Sequence, residues 1–168
     1  MPGLGVATSV VPINPRHPLV VASLAQTAQA ASHGTFSLGL GAHSIEQDTF
    51  GIVPANTVRR LREHLTMLRS GLIDGSVDFR GQKITARPSW PVRVPGGVPI
   101  PVDVAAMGPK ALQVSGELAD GTMPYLAGPR TLEEFIVPTI TRAAADVDRS
   151  HPRILAAAPV LVTDDATA

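Results

Sequence analysis

Cysteine and net charge are both absent from the chain. Without cysteine it can form no disulfide, present no thiolate nucleophile and build no zinc site from cysteine ligands. Its 14 basic and 14 acidic residues give a formal net charge of zero, and no basic block occurs. We therefore expect neither a nucleic-acid surface nor an electrostatic membrane surface, so any ligand must be held by a local site.

Long hydrophobic runs are also missing. No uninterrupted apolar stretch approaches the roughly 20 residues of a membrane-spanning helix, and no basic region followed by an apolar run and a cleavage site begins the chain. These absences predict a soluble protein of the reducing cytoplasm. A Walker loop is absent too, and LGLGAH (residues 38–43) does not fit the GxGxxG pattern, so an NAD-type site is not expected.

Strand and helix patterns alternate along the sequence. Apolar, β-rich runs predict strands at residues 4–13, 35–41, 98–106, 122–126 and 154–162. Helical spacing of apolar residues predicts helices over 18–32, 57–72, 109–119 and 131–147, with Pro138 expected to kink or divide the last one. Residues 78–99 are rich in glycine and proline, which predicts an insertion with short β-like pieces inside one domain.

Five strands separated by four helices imply a parallel α/β sheet, because each crossover must return along one face of the sheet. An open doubly wound sheet of this size would be complete, whereas a (β/α)8 barrel needs about 250 residues. Only three residues precede the first predicted strand, and the chain stops after Thr163-Asp164-Asp165, a helix-capping sequence with no helix behind it. We interpret residues 1–168 as a single incomplete barrel domain.

The segment from residue 101 to 126 predicts a strand, a turn, a helix and a second strand, in an order suited to holding a phosphate. Gly108 would let a ligand approach the backbone, and Pro109 suits the first helical position, where its missing N–H is not needed. The free N–H groups and the positive end of the helix dipole would then face the ligand. The alternative is an ordinary turn in which Gly-Pro only begins a helix.

Three segments together resemble the luciferase-like monooxygenase superfamily, and within it the oxidoreductases that use the deazaflavin coenzyme F-420. They are TSVVPINPRHPLVVASLAQTAQAASHGTFSLGLGAHS, LREHLTMLRSGLIDGSVDFRGQ and PVDVAAMGPKALQVSGELADGTMPYLAGPRTLEEFIVPTITRAA. Members of this family are complete (β/α)8 barrels, so the resemblance implies that this chain supplies about the third through seventh strands. The first two units and the last one would lie outside the sequence.

The resemblance also implies a cofactor site. In relatives a non-prolyl cis peptide forms a bulge behind the deazaflavin ring, and the register of the Arg16-His17-Pro18 motif puts it at Ser9-Val10. The end of the next strand would lie beside the cofactor, with His43 donating a hydrogen bond; its residues are Gly41, Ala42, His43 and Ser44. The implied phosphate-binding segment is Ala106, Met107, Gly108, Pro109 and Lys110.

Two groups of acidic residues lie in or near the segments of this implied site. Asp103 stands where relatives commonly carry an apolar or aromatic residue, and an unpaired acid inside a barrel strand would be costly. Glu46 and Asp48 are expected to be solvated in a loop, so no acid–base pair is predicted. No catalytic residue and no metal site are assigned from the sequence.

The chemistry implied by the resemblance is hydride transfer between coenzyme F-420 and a small organic substrate. FMN is the alternative cofactor, because the superfamily includes flavin monooxygenases and the phosphate segment does not separate the two. A third hypothesis is a non-catalytic fragment. An open half barrel would expose strand edges and apolar helix faces, which predicts association through those edges, including homodimer formation.

Overall fold

The computed structural model describes residues 4–42, 45–53 and 55–163. Within these residues the chain forms eight strands. They are β1 (Val6–Ala7), β2 (Val11–Pro12), β3 (Phe36–Gly41), β4 (Phe79–Arg80), β5 (Thr85–Ala86), β6 (Val102–Val104), β7 (Gly121–Thr122) and β8 (Arg153–Ile154). The helices are α1 (Pro18–Ala31), α2 (Ile45–Phe50), α3 (Thr57–Arg69), α4 (Pro109–Leu118), α5 (Pro129–Thr131) and α6 (Val137–Ala145), with π-helical turns at Ser70–Asp74 and Leu132–Ile136.

The order of the strands decides between the two predicted folds. Strands β1 and β2 both pair with β3, and β6, β7 and β8 follow in turn, every pair being parallel. A doubly wound sheet reverses its strand order at a switch point, whereas the sheet of a (β/α)8 barrel advances in one direction. The sheet is therefore part of a barrel, as predicted. Among the described residues β8 does not pair with β1 or β2, so the barrel is open.

The paired strands are shorter than the sequence predicts. The first predicted strand is two short strands on either side of Ser9-Val10. The third pairs with its neighbours only over Val102–Val104, and the prolines at 99 and 101 before it have no N–H to add to a ladder. The last predicted strand, 154–162, is wrong beyond Ala157, which forms an isolated bridge with Tyr125. The side chains of residues 160–162 are exposed, and no described strand lies beside them.

The helices follow the predicted spans with two differences, at the end of the second predicted helix and at α2. The second predicted helix ends as the π-helical turn Ser70–Asp74, and Gly75 follows it in a left-handed conformation with φ of 68°. The last is divided as predicted: a π-helical turn precedes α6, near whose start Pro138 supplies no N–H. Helix α2 was not predicted.

The core lies between the helices and the outer face of the sheet. Side chains from β3 and β6 meet the inner stripe of α3 and α4; the fully buried members include Leu38, Leu40, Leu65, Leu68 and Leu112. Helices α4 and α6 approach closely at Gly116, where an added Cβ would lie 2.5 Å from the Ile140 carbonyl oxygen. This packing fixes the helix layer and thereby the loops that follow each strand.

The segment between α3 and β6 contains one antiparallel hairpin, formed by β4 and β5. The carboxylate of Glu63 on α3 accepts hydrogen bonds from the backbone N–H groups of residues 82, 83 and 84 at 2.8–2.9 Å. The short β-pieces predicted there are confirmed, and Glu63 anchors their turn to the helix layer.

Candidate functional site

The carboxyl ends of β2, β3, β6 and β7 meet at one edge of the sheet. Val11 pairs with Leu40, Leu40 with Val104, and Val104 with Thr122. The ladder continues past the strands, since the N–H of Ala105 donates to the Leu40 carbonyl oxygen at 2.7 Å. This register brings the predicted segments 9–10, 41–42 and 106–110 to the same edge.

On the face of the sheet that points into the barrel, small residues at this carboxyl end leave room beside the bulge at Ser9-Val10. The Ser9-Val10 peptide is cis, which confirms the predicted position. A Cβ on Gly41 would lie 2.6 Å from Val10 Cγ2 and 3.3 Å from Ala105 Cβ, so these three residues form a continuous row. The small residues Ala105 and Ala106 were both expected to leave room at this strand end, but only Ala105 is exposed there, whereas Ala106 is buried.

Thr8 pins the bulge to the neighbouring strand. Its Oγ1 donates to the Gly39 carbonyl oxygen at 3.0 Å and accepts from the Gly39 N–H at 2.9 Å. A Cβ on Gly39 would lie 2.0 Å from the Thr8 carbonyl oxygen, so only glycine permits this approach. The side chain thus makes both hydrogen bonds with Gly39 where the chain leaves the regular ladder, and the sequence alone gave no signal for it.

The start of α4 opens onto the same edge. Gly108 is the N-cap residue with φ of −83° and ψ of 151°, and no side chain caps the helix. A Cβ on Gly108 would have no atom within 4 Å, and residues 107–110 are all exposed. The first helical hydrogen bond runs from the Leu112 N–H to the Gly108 carbonyl oxygen, which leaves the N–H groups of Lys110 and Ala111 directed out of the helix end.

Thr122 holds the segment that leads into α4. Its hydroxyl oxygen lies 2.8 Å from the Val104 carbonyl oxygen and 3.1 Å from the Ala106 carbonyl oxygen. The threonine is fully buried, so these contacts satisfy a polar group that would otherwise be costly. The turn between β6 and α4 is consequently fixed from the adjacent strand β7.

A buried polar cluster stands behind the end of β3. Glu46 in α2 is 1% exposed and accepts a hydrogen bond from Asn14 Nδ2 at 2.5 Å. Arg60 Nη2 donates to the Asn14 carbonyl oxygen at 2.8 Å. The expectation of a solvated Glu46 is therefore wrong, because α2 turns it inward toward Asn14; Asp48 is exposed as expected. His43 and Ser44 lie outside the described residues.

The Arg16-His17-Pro18 motif acts at the start of α1. His17 Nδ1 accepts from the Leu19 N–H at 3.2 Å, and its Nε2 lies 3.0 Å from the Thr85 carbonyl oxygen, so the ring proton belongs on Nε2. The imidazole both caps the helix and joins it to the hairpin.

Asp103 is fully buried and paired, so the structure avoids the cost that an unpaired acid would have at this position. Arg153 Nη2 donates to its Oδ2. Burial raises the pKa of the Asp103 carboxyl, and the Arg153 charge opposes that rise. The pair spans β6 to β8 across Gly121, where a Cβ would lie 2.6 Å from Asp103 Oδ1. The partner arginine lies 50 residues away in sequence, which is why no local pattern predicts it.

The comparisons with known proteins agree with this geometry. The family model described as luciferase-like monooxygenase matches residues 2–168. The chain belongs to that family. It is 29% identical over 174 residues to an uncharacterised protein of Mycobacterium tuberculosis, covering 97% of this chain and 51% of that protein. It is 30% identical over 139 residues to an F-420-dependent glucose-6-phosphate dehydrogenase of Beutenbergia cavernae, covering 80% and 41%.

A solved structure matches the fold closely. The coenzyme F-420-dependent tetrahydromethanopterin reductase from Methanopyrus kandleri superposes with a TM-score of 0.79 at 24% identity, over 91% of this chain and 49% of that one. The luciferase-like chain spans about half the length of the curated relatives it matches.

Within the described residues, no group of three or more His, Asp or Glu side chains is placed to hold a metal ion. Over the same residues, none of the helices has both the length and the apolar character needed to cross a bilayer.

Proposed function

We propose that this luciferase-like chain forms part of an oxidoreductase that transfers a hydride between coenzyme F-420 and a small organic substrate. The observation that carries the proposal is the row Val10, Gly41 and Ala105 beside an open start of α4 at one sheet edge. F-420-dependent relatives in the family support the choice of cofactor. The remaining barrel units, from a longer product or a partner chain, would complete the site.

The residues present suit the two ends of such a cofactor. A flat ring system needs a surface without protruding side chains, and Gly41 and Ala105 provide one next to the bulge. A phosphate needs N–H donors and positive charge, which the N–H groups of Lys110 and Ala111 and the exposed Lys110 side chain would supply. The coenzyme, when bound, supplies the hydride chemistry; the chain orients it and shields one face from water.

The proposal assigns no proton-transfer residue within the described part of the chain. Glu46 is held by Asn14 behind the edge, and Asp103 is held by Arg153 within the sheet, so each carboxylate has a structural partner. The open edges at β1 and β8 provide the surface through which a second copy or the missing units would associate. Substrate selection would depend on residues contributed by those units.

The test is a fluorescence titration of the purified chain with oxidised and reduced F-420 and with FMN, while light scattering follows the oligomeric state. Gly108→Ala places a methyl group where the phosphate would approach and meets no atom of the chain, so it should weaken F-420 binding about tenfold or more. Gly128→Ala is the matched control: Gly128 is also an uncapped N-cap residue with open space around its Cβ position.

Saturable binding of F-420 that is lost in Gly108→Ala and kept in Gly128→Ala would support the proposal. Tighter binding of FMN than of F-420 would favour the alternative that the chain belongs to a flavin-dependent enzyme. A folded chain that binds neither cofactor would support the non-catalytic fragment instead.

A further inference from the structure

A cavity of about 890 Å³ lies at the opposite end of the sheet, beside the amino ends of β6, β7 and β8. We call it the basal cavity. One wall is the end of α3 with the π-helical turn that follows it, where Leu65, Leu68 and Leu72 are buried and Ile73 is exposed, and another is the segment 98–102 that leads into β6. The volume lies within the range of pockets that take small organic ligands.

Two guanidinium groups border the basal cavity with one acid between them. Arg149 Nη2 donates to Asp120 Oδ1 at 3.0 Å and to the Ala119 carbonyl oxygen at 2.8 Å. Arg69 has no ion pair in the described part of the chain, and its hydrogen bond is a 3.4 Å contact from Nη1 to the Leu118 carbonyl oxygen. Asp148 also borders the cavity but pairs with neither arginine.

Arg69 lies among charges of both signs, but its guanidinium makes no ion pair within the described residues. Burial lowers the pKa of its guanidinium, the nearby charge of Arg149 lowers it further, and the charge of Asp120 opposes both. The third arginine at the cavity, Arg153, already pairs with Asp103 and adds no free cation. A partly buried cation with one long hydrogen bond beside an apolar wall is poorly compensated, and an anion in the cavity would compensate it.

We propose that the basal cavity binds an amphipathic organic carboxylate. Its carboxylate would pair with Arg69 and Arg149, since the planar guanidinium fork matches two carboxylate oxygens. Its alkyl or aryl body would lie against the accessible apolar residues of the lining, Ile73, Val98 and Leu118. The site is at the amino ends of the strands, so it is separate from the carboxyl edge to which the cofactor is assigned.

The test uses octanoate as the probe and octanol as its uncharged analogue, with isothermal titration calorimetry on the complete 168-residue chain. Wild type should bind octanoate saturably and more tightly than octanol. Arg69→Met keeps the apolar stem and removes the charge, so octanoate should bind about tenfold more weakly or worse. Arg62→Met is the control on the same helix, because Arg62 pairs with Glu117 outside the cavity.

A second variant separates the cavity from the charge. Ile73 borders the cavity and is 60% exposed, so Ile73→Trp should fill the opening without disturbing the core and weaken octanoate and octanol alike. Circular dichroism verifies that each variant is folded. Failure of the folded wild type to bind octanoate saturably, equal losses in Arg69→Met and Arg62→Met, or octanol binding as tight as octanoate would overturn the proposal.

Discussion

The two ends of the sheet differ in the kind of polar group they carry and in how those groups are paired. At the carboxyl end, glycine and alanine keep the inner face bare, and the polar groups on offer are backbone N–H groups at an uncapped helix start. At the amino end, charged side chains face one another, in the pairs Asp103–Arg153 and Asp120–Arg149. Groups that satisfy each other are suited to stabilising the fold. The backbone N–H groups at the start of α4, and at the amino end the Arg69 guanidinium with its long 3.4 Å hydrogen bond, are instead suited to receiving a ligand.

Removing one partner of the buried pair is expected to have the largest effect on stability. Arg153→Met leaves the Asp103 carboxylate buried without its cation, which should lower the free energy of unfolding by about 3 kcal/mol. Urea denaturation gives the value. Arg130→Met is the matched control, because Arg130 and Glu134 form an exposed pair, and it should cost about 0.5 kcal/mol or less. Equal costs in both variants would show that the Asp103 pair is not a buried interaction.

A buried histidine without any partner should make stability depend on pH. Among the described residues neither ring nitrogen of His64 finds a hydrogen-bond partner, and burial, with the charge of Arg60 next, lowers its pKa to about 3. Between pH 3 and 6.5 His64 is protonated in the unfolded chain but neutral in the folded chain. The free energy of unfolding therefore falls as the pH falls through this window. From pH 7 to pH 5 the loss should be about 2 kcal/mol.

The His64→Leu variant isolates that effect. It removes the titrating group but keeps an apolar side chain at a fully buried position. The raised pKa of Asp103 acts in the opposite direction, because the folded state then holds its proton more tightly, and it is common to both proteins. The difference between wild type and variant in urea denaturation at pH 7 and pH 5 therefore reports His64 alone. A difference that does not change with pH would contradict the assignment.

At the carboxyl end, the side chain that pins the bulge should contribute a smaller amount. Thr8→Val keeps the shape and removes the two hydrogen bonds to Gly39, so the free energy of unfolding should fall by about 1–2 kcal/mol. Thr66→Val is the control, since the Thr66 hydroxyl is bonded only within its own helix. Thermal unfolding of both variants makes the comparison, and a larger loss in Thr66→Val would place the stabilising contact elsewhere.

Local patterns predicted the parts of the fold and site that depend on neighbouring residues. Alternating apolar periods located the strands and helices, and Gly108-Pro109 marked the start of α4. Partners distant in sequence were not predictable in this way. Glu46 can be buried because Asn14, 32 residues earlier, donates a hydrogen bond to its carboxylate. Asp103 can be buried because Arg153, 50 residues later, pairs with its carboxylate. The strand predicted at 154–162 failed beyond residue 157, because apolar β-rich sequence forms a strand only where a partner strand lies beside it.

The smallest expected effect tests whether the carboxyl end receives an anion. Lys110 and Lys83 are the two lysines of the chain, and both are exposed. Replacing either with alanine should leave the free energy of unfolding within about 0.5 kcal/mol of wild type, because each is a solvated surface side chain. In a fluorescence titration with F-420, Lys110→Ala should bind about two- to fivefold more weakly, whereas Lys83→Ala should match wild type. Because the contribution is a surface charge, the difference should shrink at high salt. If the two variants bind equally at low salt, the α4 start holds its ligand by backbone N–H groups alone, and Lys110 is simply a solvated residue of the first helical turn.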